Sequence, residues 1–330
     1  MRNGNWKMTN TPHNAQLNFM TPHTSTYNYV ISAFLILVLS AVTIGQHLAD
    51  PTFKPQVEHP AFEKTSPRLM FDEAHNNFHT STSRYKPFAD LLMNDGYRLV
   101  VNRQPFTRKT LDSFKLLVIV NALGDDIDEA DAEKPAFTDE ECTVVHDWVR
   151  SGGALLLIAD PGPFAKSEAN LAKQFGVEMS GNVTQDPANC AEEFRPSMIL
   201  YSNDNHLLLE HPITSGRSAQ EKLSRVVVFS GQSLKGPQDG VGFLKLADSA
   251  RDVNQGSDGA ATATNPARGT TQGLALKIGT GRVVVLAEAD MLSALLGDPP
   301  ETEPIGMNYP SIDNKQLTLN VMHWLSGLLK

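Results

Sequence analysis

Short apolar runs alternate with helix signals along the middle of the chain, and this alternation constrains the fold more than any other feature. Phe114–Asn121 and Ala154–Ala159 are almost entirely apolar and offer no polar face to solvent. Runs of this kind are typical of parallel strands covered by helices on both faces. Between them, the capping box Thr138-Asp-Glu-Glu141 opens a helix that runs to Arg150. The pattern predicts an α/β fold with a mainly parallel sheet from Arg68 onward.

The second half of the chain is predicted to be rich in β-structure. Further strands are predicted at Arg68–Phe71, Arg98–Asn102, Arg225–Phe229, Phe243–Ala247, Gly273–Ile278 and Arg282–Ala287, and further helices at Tyr85–Asn94, Ser167–Phe175 and Asn314–Leu329. Gly279-Thr-Gly281 joins two of these strands and is typical of a hairpin turn. Ser249–Thr271 is rich in Gly, Ala, Thr, Asn and Asp. We expect that stretch to be a mobile excursion and not a domain.

The N-terminal part is organised differently from the rest. Residues 1–28 are polar and are predicted to be a disordered tail, whereas residues 29–45 contain no charge. This apolar segment is either a signal-peptide h-region or a single membrane anchor. A buried core helix is disfavoured because the segment is apolar on all faces. Residues 46–67 contain four prolines and are predicted to be a linker, which leaves residues 68–330 as the domain.

The charge distribution predicts the cellular location of the protein and one class of partner that it does not bind. The positive-inside rule places the N-terminus in the cytoplasm and the domain outside, in the periplasm or at the cell envelope. The formal net charge is −9, from 37 acidic and 28 basic residues. An acidic surface repels phosphate backbones, so the composition excludes nucleic acid as a partner. A membrane contact is expected only through residues 29–45, if they are not cleaved.

The stretch Leu69–Thr80 carries the densest set of chemically active side chains. An apolar run is followed there by Asp72, Glu73, His75, Asn76, Asn77 and His79. Ligands of open α/β sheets bind beyond the carboxyl ends of strands, which is where this loop is predicted to lie. Three alternatives are open: a hydrogen-bonded loop with a structural role, direct binding of a polar ligand, or a divalent metal held by His75, His79 and Asp72 or Glu73. A metalloprotease would need Glu at position 76, where this chain has Asn.

Carboxylates also follow two other predicted strands. Asp160 comes after Ala154–Ala159, and Glu288 and Asp290 come after Arg282–Ala287. A purely structural alternative is helix capping by Asp160 or by Asp290. If these groups converge with the Asp72–His79 loop at one edge of the sheet, paired carboxylates and imidazoles could carry out acid–base chemistry.

Four passages resemble the class I glutamine amidotransferase-like superfamily. They are Leu69–Thr80 with Tyr85-Lys-Pro-Phe88, Val144–Asp160, His211-Pro-Ile-Thr214, and Gly281–Asp290 followed by Asn314 to Gly327. The resemblance is greatest to the branch that contains DUF4350 proteins, GldG-type auxiliary domains and the intraflagellar transport protein of 52 kDa. It implies a flavodoxin-like three-layer sandwich. Amidotransferases of this superfamily use a Cys at the strand-to-helix elbow, and no Cys stands at or around Asp160, so glutaminase activity is not expected.

Three functional hypotheses follow from these observations. The favoured one is an extracytoplasmic binding domain for a small polar ligand, such as a carbohydrate, or for an envelope protein. The second is a hydrolase that uses the His75, His79 and Asp160 region, with or without a metal. The third is an accessory subunit of a membrane transport complex. Apart from the divalent metal, the sequence assigns no cofactor.

Overall fold

The computed structural model describes residues 47–255, 261–297 and 302–330. The predicted tail and the apolar segment 29–45 lie outside these ranges, so the predictions made for them stand as predictions. Among the described helices, none is both long and apolar enough to cross a membrane.

Helices and strands alternate in the first half of the described chain, and strands dominate the second half. The strands are β1 (Leu48–Ala49), β2 (Arg68–Asp72), β3 (Arg98–Asn102), β4 (Leu116–Val120), β5 (Ala154–Ile158), β6 (Glu178–Gln185), β7 (Ile199–Ser202), β8 (Arg225–Val228), β9 (Gln232–Lys235), β10 (Val241–Lys245), β11 (Arg251–Gln255), β12 (Ala261–Pro266), β13 (Thr271–Ile278), β14 (Gly281–Leu286), β15 (Ala294–Leu296) and β16 (Pro304–Gly306). The helices are α1 (Lys86–Asn94), α2 (Arg108–Leu111), α3 (Asp139–Arg150), α4 (Pro163–Ser167), α5 (Ala169–Gln174), α6 (Pro212–Ser215), the 3₁₀ helix Asp290–Leu292 and α7 (Asn314–Leu325).

Five parallel strands form the half of the main sheet that carries the candidate residues. They lie in the order β3-β2-β4-β5-β14, and each neighbouring pair is parallel. Numbered along the chain, this order is 2-1-3-4-5, the order of flavodoxin-like sheets. Strands β4 and β5 are apolar along their whole length because helices cover both faces. The predicted α/β class and flavodoxin-like order are therefore present in this half.

The other half of the sheet is antiparallel, so the prediction of a mainly parallel sheet is wrong for the sheet as a whole. Strands β13, β9, β6, β11 and β12 continue the sheet beyond β14, and β10 also pairs with β13. The predicted excursion at residues 249–271 contains the β11–β12 pair. The expectation of a mobile excursion is therefore wrong for this pair. Thr residues favour strands, but the abundance of Gly and Ala in this stretch favoured the prediction of a loop. The expectation of a β-rich second half is confirmed.

Two hydrophobic cores lie on opposite faces of the parallel strands. Helix α1 and helix α7 pack on one face through side chains such as Phe88, Leu92 and Trp324. Helices α3 and α5 pack on the other face through side chains such as Val145 and Leu171. This arrangement gives the three layers that the sequence predicted, and it leaves the carboxyl ends of the strands open at one edge.

Residues 47–67, which fall in the predicted linker, make specific contacts with the domain. Strand β1 pairs antiparallel with β15. Phe53 and Val57 pack against a small cluster of buried apolar side chains, and Phe62 meets the Tyr97 ring edge-on at 4.9 Å. The chain is therefore already docked on the domain before β2 begins.

Candidate functional site

Two adjacent parallel strands deliver three carboxyl groups to one cleft. The register pairs Ile158 of β5 with Leu286 of β14, so Asp160 and Glu288 both stand two residues beyond the paired ends. Asp290 follows two residues later. These three line a cleft of about 490 Å³. The remaining lining residues are Glu133, Pro161, Gly162, Lys166, Gly181, Asn182, Val183, Ser230 and Val253.

Asp160 is held in a fixed orientation by its neighbours. The backbone N–H of Ala289 donates to Asp160 Oδ1 at 2.7 Å, and Asn121 Nδ2 donates to Oδ2 at 2.6 Å. The Asp160 N–H in turn donates to Asn121 Oδ1 at 2.9 Å. Burial and the charge of Asp290 together raise the pKa of Asp160 to about 7, against the lowering effect of these hydrogen bonds. Asp160 is therefore a proton donor or acceptor that titrates near neutral pH.

Glu288 holds the helix start that Asp290 was predicted to cap in the structural alternative. Its Oε1 accepts the backbone N–H groups of Phe229 and Met291, and its Oε2 accepts that of Asp290. It thereby holds the start of the 3₁₀ helix Asp290–Leu292, and no side chain at the N-cap position of that helix does so. Burial raises the pKa of Glu288, with further contributions from the Asp290 and Asp160 charges. The prediction that Asp290 caps this helix is wrong.

Because Glu288 carries the backbone contacts, the Asp290 carboxylate points elsewhere. Its Oδ2 lies 3.1 Å from His47 Nδ1, and its side chain is 20% exposed. The Asp290 carboxylate thus lies on the cleft wall and contacts the His47 side chain.

His79 is buried close to this cluster, against Tyr85. Within the described part of the chain, neither of its ring nitrogens is bonded, although both are buried. The ring stacks on Tyr85 at 5.4 Å, and the Tyr85 hydroxyl donates to the Ala289 carbonyl at 2.6 Å. Burial lowers the pKa of His79 to about 4, against an opposing effect of the Asp290 charge. His79 is therefore neutral at physiological pH.

The Asp72–His75 pair belongs to a different cluster. His75 Nδ1 lies 2.8 Å from Asp72 Oδ2, and His75 Nε2 lies 3.0 Å from Oε1 of Glu141 in α3. Burial lowers the pKa of His75, but hydrogen bonds and charge from the two carboxylates raise it overall. The ring is also enclosed by Phe106 and Phe137, at 4.7 and 4.8 Å. This geometry matches the hydrogen-bonded structural loop, the first of the three alternatives for Leu69–Thr80.

The remaining residues of the loop stabilise it or face a second cleft. Glu73 accepts hydrogen bonds from Ser81 and forms an ion pair with Arg103 at 3.2 Å. Asn77 accepts the His75 N–H through Oδ1 and donates to the Val120 carbonyl. Asn76, at φ 46°, is exposed. Glu73, Asn76 and Asn77 line a shallow cleft with Asp126 and Asp128 that is distinct from the one around Asp160.

The structure does not assemble the predicted metal site. Both ring nitrogens of His75 face carboxylates, and the His79 ring packs against Tyr85 in the other cluster. Across residues 47–255, 261–297 and 302–330, no group of three His, Cys, Asp or Glu side chains is arranged to hold a metal ion. Of the predicted residues, Asp160, Glu288 and Asp290 share one cleft, whereas Glu73, Asn76 and Asn77 line the other.

Several residues of the cleft were not found from the sequence. Asn121 follows β4 directly, so the rule that located Asp160 also applies to it. Lys166, which pairs with Glu133 at 2.7 Å, and His47 gave no comparable signal because each lies far from the strand ends in the chain. Ser230 stands two residues beyond β8 and also lines the cleft.

The turn after β5 departs from a catalytic elbow in its backbone as well as in its side chain. Pro161 follows Asp160, Gly162 has φ 76°, and Pro163 stands at the start of the short helix α4. Proline has no backbone N–H to offer to a ligand.

Comparison with known proteins identifies a shared architecture. No protein-family model matches the chain, and no curated protein matches it significantly. Among solved structures, the mmIFT52 N-terminal domain aligns with a TM-score of 0.54 and 16% identity, covering 78% of this chain and 97% of that one. The two chains share a fold. The predicted resemblance to the branch with the intraflagellar transport protein of 52 kDa is thereby confirmed as a likeness of fold.

Weaker likenesses accompany this one. A cytoplasmic protein from Salmonella typhimurium aligns at 13% identity and a TM-score of 0.44, covering 78% of this chain and 98% of its own. A ThuA-like protein from Bacteroides uniformis aligns at 12% identity and a TM-score of 0.39, covering 84% and 95%. At these scores neither likeness adds to the assignment, and the DUF4350 and GldG-type resemblances stand as predictions.

Proposed function

We propose that this chain is an extracytoplasmic binding domain of amidotransferase-like fold that holds a small polar ligand between Asp160, Glu288 and Asp290. The observation that carries the proposal is the convergence of carboxyl groups from two strand ends in one cleft, at the edge where α/β sheets bind ligands. Residues 29–45, as a signal sequence or anchor, support the extracytoplasmic location.

The chemistry of the cleft favours a neutral, hydroxyl-rich ligand such as a mono- or disaccharide. Carboxylates accept hydrogen bonds from hydroxyl groups, and Ser230 and Asn182 add groups that both donate and accept. The described lining includes no aromatic side chain, which argues against stacking of a nucleobase. A volume of about 490 Å³ lies within the range of small-molecule sites.

Binding can be tested on the purified full chain by calorimetry with a panel of neutral mono- and disaccharides. For a sugar that binds, we expect Asp160→Asn and Asp290→Asn each to weaken the affinity by about 10-fold, because each loses a charge-assisted hydrogen bond. Asp126→Asn is the matched control, since Asp126 lines the other cleft. Binding that survives both cleft substitutions, or a panel without any binder, would contradict the proposal.

A second candidate, hydrolysis of the bound ligand, is favoured by one observation. Asp160 has a pKa of about 7 and lies next to the Asp290 charge, as a general acid or base requires. Release of reducing sugar from oligosaccharides should then depend on pH with an inflection near 7 and disappear in Asp160→Asn. Binding of the oligosaccharide without its hydrolysis under these conditions would rule out the hydrolase and retain only the binding role.

A further inference from the structure

The segment His47–Asp50, here called the strap, is fixed to the domain beside the cleft. Leu48 pairs with Leu296 and Ala49 with Leu295. The Asp50 N–H donates to the Ala294 carbonyl at 2.9 Å. The strap therefore docks on strand β15, which begins shortly after the 3₁₀ helix that contains Asp290.

The first residue of the strap contacts a carboxylate that lines the cleft. His47 Nδ1 lies 3.1 Å from Asp290 Oδ2, and Arg84 Nε donates to the His47 carbonyl at 2.8 Å. The His47 side chain is 38% exposed. A partly exposed contact of this kind can open without disturbing the buried core, since contacts near the surface contribute little to stability.

Asp290 is the cleft carboxylate that the strap engages. Asp160 is held by Asn121 and the Ala289 N–H, and Glu288 is held by backbone N–H groups. The His47 imidazole thus stands where a donor group of a ligand would meet the Asp290 Oδ2 atom.

We propose that the strap is an autoinhibitory latch, in which His47 occupies Asp290 and must release it before a ligand can use that carboxylate. This inference rests on the proposed function of the cleft. Its consequence is that occupancy of the cleft is coupled to the chain segment that leads back to residues 29–45.

The latch can be tested on the full chain without a ligand. Carbodiimide with glycine ethyl ester labels accessible carboxylates, and mass spectrometry reads the labelling rate at Asp290. We expect His47→Gln to raise that rate by about 5-fold or more, because the exposed contact that covers Oδ2 is lost. His59→Gln is the matched control, since His59 is an exposed histidine of the same N-terminal region. Equal labelling in His47→Gln and His59→Gln would overturn the latch.

Hydrogen exchange tests the opposite direction of the coupling. In Asp290→Asn, the amides of Leu48–Asp50 should exchange about 10-fold faster than in the wild type, while those of β5 stay protected, because local opening does not require global unfolding. Unchanged strap exchange in Asp290→Asn would also overturn the proposal. Both measurements are independent of the sugar panel: a panel without binders together with faster strap exchange would refute the binding role and retain the His47–Asp290 contact.

Discussion

His75 acts as a clip between the end of β2 and the start of α3. It is buried between Asp72 and Glu141, and the carboxylates raise its pKa overall. A raised pKa means that this contribution to stability is fully present below the unfolded value of 6.5 and is lost as the pH rises through the folded value.

Replacing His75 with Ala should lower the free energy of unfolding by about 3 kcal/mol at pH 6, because two buried carboxylates lose their shared partner. Chemical denaturation measures this loss. His59→Ala, at an exposed position, should change stability little. A His75→Ala protein as stable as the wild type would show that the clip has no structural role.

His79 gives stability the opposite dependence on pH. Its pKa falls from 6.5 to about 4 on folding, so between these values the unfolded chain binds a proton that the folded chain does not. Stability therefore falls as the pH drops from 6.5 to 4.

In His79→Phe this loss should disappear, since the ring still stacks on Tyr85 but cannot be protonated. Relative to the wild type, the variant should gain about 2.5 kcal/mol between pH 7 and pH 4.5. Urea unfolding at the two pH values provides the comparison. If the two proteins lose stability in parallel as the pH falls, His79 is not the buried neutral group described above.

At the scale of single elements, the capping box of α3 was predicted correctly from four residues. The Thr138 hydroxyl accepts the Glu141 N–H, and Glu141 Oε2 accepts from Thr138, while its Oε1 meets His75. The same glutamate therefore caps the start of a helix and bonds His75. Local chemistry of this kind is legible in sequence because all its partners are close in the chain.

Thr138→Ala should cost about 1 kcal/mol of unfolding free energy, through loss of the cap. Thr107→Ala removes the same kind of capping box from the four-residue helix α2 and serves as the comparison. We expect it to cost less because Thr107 is exposed, whereas Glu141 of the α3 box also bonds the buried His75. Equal losses of stability in the two variants, measured by thermal or urea denaturation, would show that the α3 cap contributes independently of the His75 clip.

Elements of the second half show where sequence reasoning fails. The strand ends with Asp160 and Glu288 were located because apolar runs precede them. The pair β11–β12 was missed because it carries no apolar run, and β12 is exposed at the sheet edge. The site was likewise predicted only in part. The sequence places Asp72 and Asp160 at strand ends alike, but the amide partner of each carboxylate, Asn102 or Asn121, depends on tertiary packing.

At the scale of the whole molecule, the strap and the residues after it are part of the folded unit. A chain that begins at residue 68 should lose about 3 kcal/mol of stability relative to one that begins at residue 47, because half-buried Phe53, Val57 and Phe62 are removed. Denaturant unfolding of the two chains measures the difference. Equal unfolding midpoints would show that residues 47–67 do not stabilise the domain and act only as a linker.

A point substitution isolates the same effect. Phe62→Ala removes the ring that meets Tyr97, whereas Phe194→Ala changes a side chain that is 89% exposed. The first should destabilise the protein and the second should not.

Pro161 prevents the turn after β5 from supplying the backbone N–H that a nucleophile elbow needs. In a nucleophile elbow, the amide hydrogen of the residue after the nucleophile helps to neutralise the oxyanion of the tetrahedral intermediate. A sulfur grafted by Asp160→Cys would be followed by an imide nitrogen that carries no hydrogen. Gain of acyl-transfer activity would therefore require replacement of the proline as well as the aspartate, and neither change alone should suffice.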